Sequence, residues 1–339
     1  MITIVDALNV AANWQTRQPD GTPGSTELTA ANATGTSYLG TDQTSMLLTG
    51  STSALDHSIR RTLPAVDATV WPDLAIAVRA DREATGSDAS PFYLRLRVGS
   101  AAVDLDDPAN TWHRYLPIKA VDTWNPLRLS LHDLPANIRD AITQVEITCT
   151  DASREFACHL DDLNLVRDEL ISDVDAALHA LLHNQLTLTG LVPALELVTG
   201  AALPANPRPA FAIANYKLEW NEERTNRQPS SSDYVDDGFR LRPDRIAYVA
   251  HYAILALAAT RAEQAEMLDF ACQAVPPRAT LVVNDYRADA WHVPTPSFHE
   301  TPWPAFYPQL HVAAMNWTEI GTATPVRPTR NVRIEAEAF

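Results

Sequence analysis

Strict alternation of apolar and polar residues runs through the first half of the chain. In DLAIAVRAD, Leu74, Ile76 and Val78 fall on one face; in PFYLRLRVG, Phe92, Leu94, Leu96 and Val98 point one way and Tyr93, Arg95 and Arg97 the other. A period of two marks half-buried strands, because successive side chains leave a pleated backbone on opposite faces. SMLLTG, WHRYLPI, NPLRLSL, QVEITC and FACHLDDLNLV add further short strands, separated by turn-rich stretches such as REATGSDAS and DLDDPANT. Many short strands at this spacing, with few helical signals, predict a β-sandwich or jelly roll over residues 1–167. Leu160 and Leu163 in the last strand lie three residues apart, a slip of phase that predicts a β-bulge.

The period changes after Val166. RDELISDVDAALHALLHNQL places Leu170, Val174, Leu178, Leu181 and Leu182 on one helical face, with Ser172 or Asp173 positioned to cap the free amides at its start. A Pro-rich spacer, ALPANPRPA, leads into an alternating strand, FAIANYKLEW. An unpatterned polar stretch from Asn221 to Gly238 follows, then the strand region FRLRPDRIAYVAHYAILALAA and the helix TRAEQAEMLDFACQAV. ATLVVND, LHVAAMNW and the closing NVRIEAEAF read as further strands. The expected fold class is therefore mixed: an all-β jelly-roll sandwich, residues 1–167, followed by an α+β domain, residues 168–339.

The run from Phe211 to Val275 resembles the cap, or tail-terminator, proteins of phage-like contractile injection systems. In that family a strand is followed by an Asn-rich loop containing an Arg-Asn pair, then by a Pro-led strand with a His-Tyr pair and a helix. The corresponding residues here are Tyr216, Asn221, Arg224, Asn226, Arg227, Gln228 and Pro229, then Pro243, His251 and Tyr252. The resemblance implies a structural assembly protein that closes as a homo-oligomeric, hexameric ring on the end of a tube and sheath. It would be made in the bacterial cytoplasm and carried in a phage virion or injection particle. It also makes the polar loop a subunit contact, through Asn221, Arg224, Asn226 and Arg227, whose guanidinium groups suit bidentate pairing with a neighbour's carboxylates. The closing strand, with Asn331, Arg333 and Phe339, is apolar on one face and suited to main-chain pairing with another sheet. In the first half, the ending HLDDLNLV resembles the last strand of carbohydrate-binding-module-like jelly rolls. That likeness implies a fold, and leaves a glycan-binding particle protein as the alternative function.

Composition narrows the remaining choices. The chain has 339 residues, 46% of them hydrophobic and 20% charged, enough for two domains with their own cores. No basic segment precedes an apolar run at the start, and the longest apolar run, around Tyr248 to Ala259, is too short to span a bilayer. Cys149 and Cys158 flank the turn TDASRE and could face each other across it, although free thiols are expected in a cytoplasmic protein.

Candidate chemistry is sparse. Asp161 and Asp162 supply two carboxylates suited to a structural calcium ion, against the competing reading of a solvated bulge. His179 and His183 stand four apart on a helix, but no Glu lies between them and no third ligand is evident; His292, His299 and Glu300 sit among prolines. Trp14, Trp71, Trp112, Tyr115 and Trp124 could stack on sugar rings if exposed, though large aromatics in a sandwich are usually core. A nucleophile elbow, a phosphate-cradling Gly-rich loop and the HExxH helix are all missing, so the chain reads as no enzyme and as needing no cofactor.

Charge excludes one class of partner. With 42 acids against 26 bases the net charge is −16, and no basic footprint for phosphates exists in either half. The purified protein is expected to leave duplex DNA unshifted at physiological salt. Micromolar binding that weakens steeply as salt rises would contradict this.

Overall fold

The alternation in the first half builds two antiparallel sheets that share one apolar core. A computed structural model of the chain describes residues 2–38, 43–189, 194–197, 210–220, 230–235, 238–242, 246–275, 280–283, 286–292, 305–306, 308–314 and 325–326. Its first strands are β1 (Ile2–Asp6), β2 (Gln15–Arg17), β3 (Leu28–Thr34), β4 (Thr44–Gly50), β5 (Ser58–Val66) and β6 (Asp73–Ala80). After them come β7 (Leu94–Ser100), β8 (Arg114–Tyr115), β9 (Asn125–Ser130), the single turn α1 (Ala136–Arg139), β10 (Ile142–Cys149) and β11 (Phe156–Val166). Beyond Val166 lie α2 (Leu170–Thr189), β12 (Ala194–Leu197), β13 (Ala210–Trp220), β14 (Ser230–Val235), β15 (Gly238–Arg242), β16 (Ile246–Leu257) and α3 (Arg261–Ala274). The remaining strands are β17 (Thr280–Val283), β18 (Tyr286–His292), β19 (Ala305–Phe306), β20 (Pro308–Ala314) and β21 (Pro325–Val326).

The first sheet runs β3-β4-β11-β6-β9, with β1 also paired to β11; the second runs β2-β5-β10-β7-β8-β14-β15-β21. Leu74, Ile76 and Val78 of β6, Leu94, Leu96 and Val98 of β7, and Val145 and Ile147 of β10 meet in the core as the period of two requires. Each such side chain contributes about 1.5–3 kcal/mol by leaving water.

Two details depart from the sequence pattern. The ladder of β7 starts only at Leu94, so Tyr93 is not an outward residue. It is fully buried, its hydroxyl donates to the Arg82 carbonyl at 3.1 Å, and the Arg82 guanidinium lies over its ring. Phe92 instead packs on Tyr115 and Tyr234. The polar stretch after Asn221 is also not a loop throughout: SSSDYV pairs as β14 with β15 and, at Tyr234, with Tyr115 of β8. Serines and an aspartate give no apolar alternation to read, because this strand is held through its backbone.

Two compact units result. One contains both sandwich sheets, including β14, β15 and β21 from beyond Arg167; the other contains a third sheet, β12-β13-β16-β20-β18-β17 with β19 on β16, together with α2 and α3. Val174, Leu178 and Leu182 of α2 are fully buried and join Phe211, Ile213, Tyr252 and Ile254 of the sheet and Phe270 and Ala271 of α3 in one cluster. The start of α2 lies one turn earlier than a cap at Ser172 or Asp173 would place it. Asp173 sits inside the first turn and its carboxylate reaches back to accept the Glu169 amide at 2.6 Å. A reciprocal Thr260–Glu263 capping box opens α3.

The predicted bulge is present in β11. Its register against β6 slips between Asp161 and Asn164, and Asp162 adopts a left-handed φ of 53°. The slip keeps Cys158, Leu160, Leu163 and Leu165 all in the core. Asp161, 2% exposed, fastens it: one carboxylate oxygen accepts the Tyr38 amide at 2.6 Å and the other the Asp162 amide at 3.0 Å. Asp161→Ala should leave these amides without their acceptor and cost roughly 2–4 kcal/mol in urea unfolding. The wild-type midpoint should be the same in EDTA as in added calcium. A calcium-dependent rise in the midpoint would restore the metal reading.

Candidate functional site

Because strands β2, β5, β10, β7, β8 and β14 pair in register, their outward residues form rows across the second sheet. One row is Arg17, Ser58, Thr148, Arg95, Tyr115 and Tyr234; the next is Gln15, Arg60, Glu146 and Arg97. Partners opposite each other on antiparallel strands share a face, and the intervening residues Ile59, Leu94, Leu96, Val145 and Ile147 fill the core. Arg17, Ser58, Thr148 and Arg95 of the first row and Arg60, Glu146 and Arg97 of the second line, with Gln18, Pro19, Asp20, Gly21, Asp56 and Asp106, a depression of about 370 Å³.

Its charges are fixed by one another. Arg60 donates through both terminal nitrogens to Asp106 at 2.7 Å, and through Nε and Nη2 to Glu146 at 2.9 and 2.7 Å. Ser58 donates to the same Glu146 oxygen at 3.2 Å, and Arg97 lies 3.6 Å from the other. Burial would weaken the Arg60 proton's hold, but the hydrogen bonds to Asp106 and Glu146 outweigh it and raise the guanidinium above its ordinary value. The Arg60 hydrogen bond holds Asp106 below the usual carboxylate range. Burial lowers Arg97, only partly offset by Glu146, with Arg95 and Arg60 adding to the lowering. Asp106 is 61% exposed and Glu146 7%, so the Glu146 side of this network carries most of the structural weight. At one end the face turns aromatic: Tyr115 stacks on Phe92 with ring centres 5.3 Å apart, and Tyr234 meets Phe92 at 4.8 Å.

The aromatics singled out from sequence divide sharply. Trp14, Trp71 and Trp112 are core residues, each at most 7% exposed. Tyr115 and Trp124 are half-buried at the surface, Trp124 beside Tyr38 and the edge of His159. The calcium expectation at Asp161 and Asp162 meets an obstacle: both oxygens of Asp161 face amide hydrogens, which a cation would repel. Among the described residues no group of three or more His, Cys, Asp or Glu side chains could hold a metal. His179 and His183 stack on α2 with ring centres 6.2 Å apart. Cys149 and Cys158 are buried thiols on different sheets, and burial raises both, Cys149 to about 11.

Of the residues that carried the family resemblance, Tyr216 lies on β13 and His251 and Tyr252 on β16. His251 and Tyr252 are buried, and His251 Nε2 lies 2.8 Å from a Glu219 carboxylate oxygen. Asn221, Arg224, Asn226, Arg227, Gln228, Pro229 and Pro243, as well as Asn331, Arg333 and Phe339, lie outside the described residues. The polar face was missed because its members are scattered from Arg17 to Tyr234. The available signal was the outward set of each strand, such as Arg95 and Arg97, but joining the sets needs the pairing register.

Among the described residues no helix is long and apolar enough to cross a membrane. No family model matches the chain, and no curated protein matches it. Similar solved structures include a family 11 carbohydrate-binding module from Clostridium thermocellum in complex with a β-1,3-1,4-mixed-linked tetrasaccharide. It is 12% identical with a TM-score of 0.34, over 49% of this chain and 95% of that one. A family 30 carbohydrate-binding module of a Clostridium thermocellum cellulosomal cellulase is 11% identical with a TM-score of 0.35, over 50% of this chain and 99% of that one. The sheath/tube terminator of an extracellular contractile injection system, in its extended state, is 17% identical with a TM-score of 0.37, over 51% of this chain and 66% of that one.

Proposed function

We propose that this chain is a structural assembly protein that terminates the tube and sheath of a contractile injection system or phage tail. It would be built in the bacterial cytoplasm and carried in the particle. The observation that carries this reading is the order of elements after Val166: the amphipathic helix α2, the strands β12 and β13, the polar hairpin β14–β15, the long strand β16 with His251 and Tyr252, and the capped helix α3. Within it, the succession of β13, a polar segment, β16 with its His-Tyr pair and α3 follows the order the sequence resemblance implies. The action is geometric and not catalytic. Tube and sheath are heterologous polymers that grow until a ring with a complementary face occupies the open end, and a homo-oligomeric, hexameric ring meets that need. The loop arginines and the closing strand are its contacts to neighbours, tube and sheath.

A second reading, glycan binding by the sandwich, is favoured by the polar depression with its flanking aromatic cluster on the second sheet. It is compatible with the first, since a particle protein can carry a recognition surface.

Deleting Asn331 to Phe339, or reversing Arg224 and Arg227 to Glu, should leave a folded monomer by circular dichroism while abolishing ring formation or attachment to tail ends in electron micrographs. Particles of normal, uniform length from both variants would overturn the assembly reading.

A further inference from the structure

The polar depression holds more hydrogen-bonding capacity than its own network uses. Four arginines and four carboxylates line it: Arg17, Arg60, Arg95 and Arg97 against Asp20, Asp56, Asp106 and Glu146. Most are engaged. Arg60 is shared by Asp106 and Glu146, and Arg97 faces Glu146 and donates to the Asn110 carbonyl at 2.9 Å. Arg17 lies 4.0 Å from Asp106, and Asp20 accepts the Thr22 amide of its own turn.

Arg95 differs. Among the described residues no carboxylate lies within ion-pair distance of it, whereas Arg17, Arg60 and Arg97 each have one. It stands between Thr148 and Tyr115 on the outward face of β7, at the centre of the upper row.

The ligand's chemistry follows from the lining. Guanidinium groups only donate and carboxylates only accept, so a ligand that satisfies both must offer acceptors and donors side by side, as hydroxyl groups do. A dianionic phosphate would lie beside Asp20, Asp56 and Asp106. A peptide's apolar side chains would find almost no apolar wall, since Pro19 alone supplies one. One carboxylate placed on Arg95 gives this guanidinium the partner it lacks among the described residues, and Arg is the side chain whose planar fork receives a carboxylate at two points.

We propose that the depression is a binding site for an acidic saccharide, its carboxylate held by Arg95 and its hydroxyls by the surrounding Arg, Asp, Ser58 and Thr148 side chains. This rests on the glycan-binding reading and adds to it the ligand's charge and the residue that reads it.

The test is calorimetry of the full chain with cellobiouronate, a disaccharide with a single carboxylate, and with neutral cellobiose, at about 0.15 M salt, where the protein's distant negative charges are screened beyond ~8 Å. Cellobiouronate should bind measurably tighter than cellobiose. R95Q should weaken it by about tenfold or more, the scale of one charge-assisted hydrogen bond, with an unchanged melting temperature. R95K, which keeps the charge but not the fork, should retain part of the affinity and serves if R95Q does not fold. Equal binding of both sugars, or of cellobiouronate by wild type, R95Q and R95K alike, overturns the inference and leaves glycan binding standing. Failure of folded wild-type protein to bind either sugar overturns both.

Discussion

The sandwich depends on one slip of phase in β11. This strand pairs with β4 through its first half, with β1 through its second, and with β6 along most of its length. Its apolar residues are spaced 158, 160, 163 and 165, and a regular strand would turn the last two away from the core. Placing Asp162 in the left-handed region inserts the extra residue, and the Asp161 carboxylate accepts the Asp162 amide at the bulge and the Tyr38 amide from outside the ladder. The conformational cost at a non-glycine residue is of the order of 1 kcal/mol, while each leucine kept in the core is worth about 1.5–3. The slip therefore wins. In the aspartate pair read from sequence as a candidate calcium site, the Asp161 carboxylate is engaged by backbone amides.

With the inner face settled, the outer face of the second sheet is settled too. Every inward Leu94, Leu96, Val145 or Ile147 forces an outward neighbour, and pairing brings those neighbours together as Arg60 beside Glu146 and Glu146 beside Arg97. Removing Glu146 alone would take from Arg97 its carboxylate and leave Arg60 held by the exposed Asp106, which costs more than an exposed pair is worth. Such a network holds side chains in fixed positions without help from a ligand. That is the preorganisation a binding surface requires, since side chains already ordered lose less entropy when a ligand arrives. Arg114 shows the same logic at the end of the core: 1% exposed, it lies over Trp112 and donates to the Ser130 and His113 carbonyls and to Asp133.

The β14–β15 hairpin joins the two functional readings. Its sequence is polar and its attachment to β8 is a main-chain bridge reinforced by Tyr234 against Phe92. Strand addition of this kind makes few demands on side chains, so a segment distant in sequence can extend a sheet and also supply the last member of the surface row. A protein that extends one of its sheets by such addition uses the same chemistry by which subunits of a polymer can be tied together.

The sequence by itself determined the strands of the sandwich, the bulge between Leu160 and Leu163, the change to helix after Val166 and the buried stripe Val174, Leu178 and Leu182. These are properties of period, and period is written in consecutive residues. It misjudged Phe92 and Tyr93, because alternation holds only where the ladder does and the ladder begins at Leu94. It took β14 for loop, because a strand held through its backbone leaves no apolar pattern. Tertiary structure alone decided the polar face: Arg17, Arg60, Arg95, Glu146 and Tyr234 lie far apart in the chain, and only the pairing register of six strands makes them neighbours. Tertiary structure also separated Trp14, Trp71 and Trp112 from Tyr115, since burial depends on what the rest of the chain places over a ring.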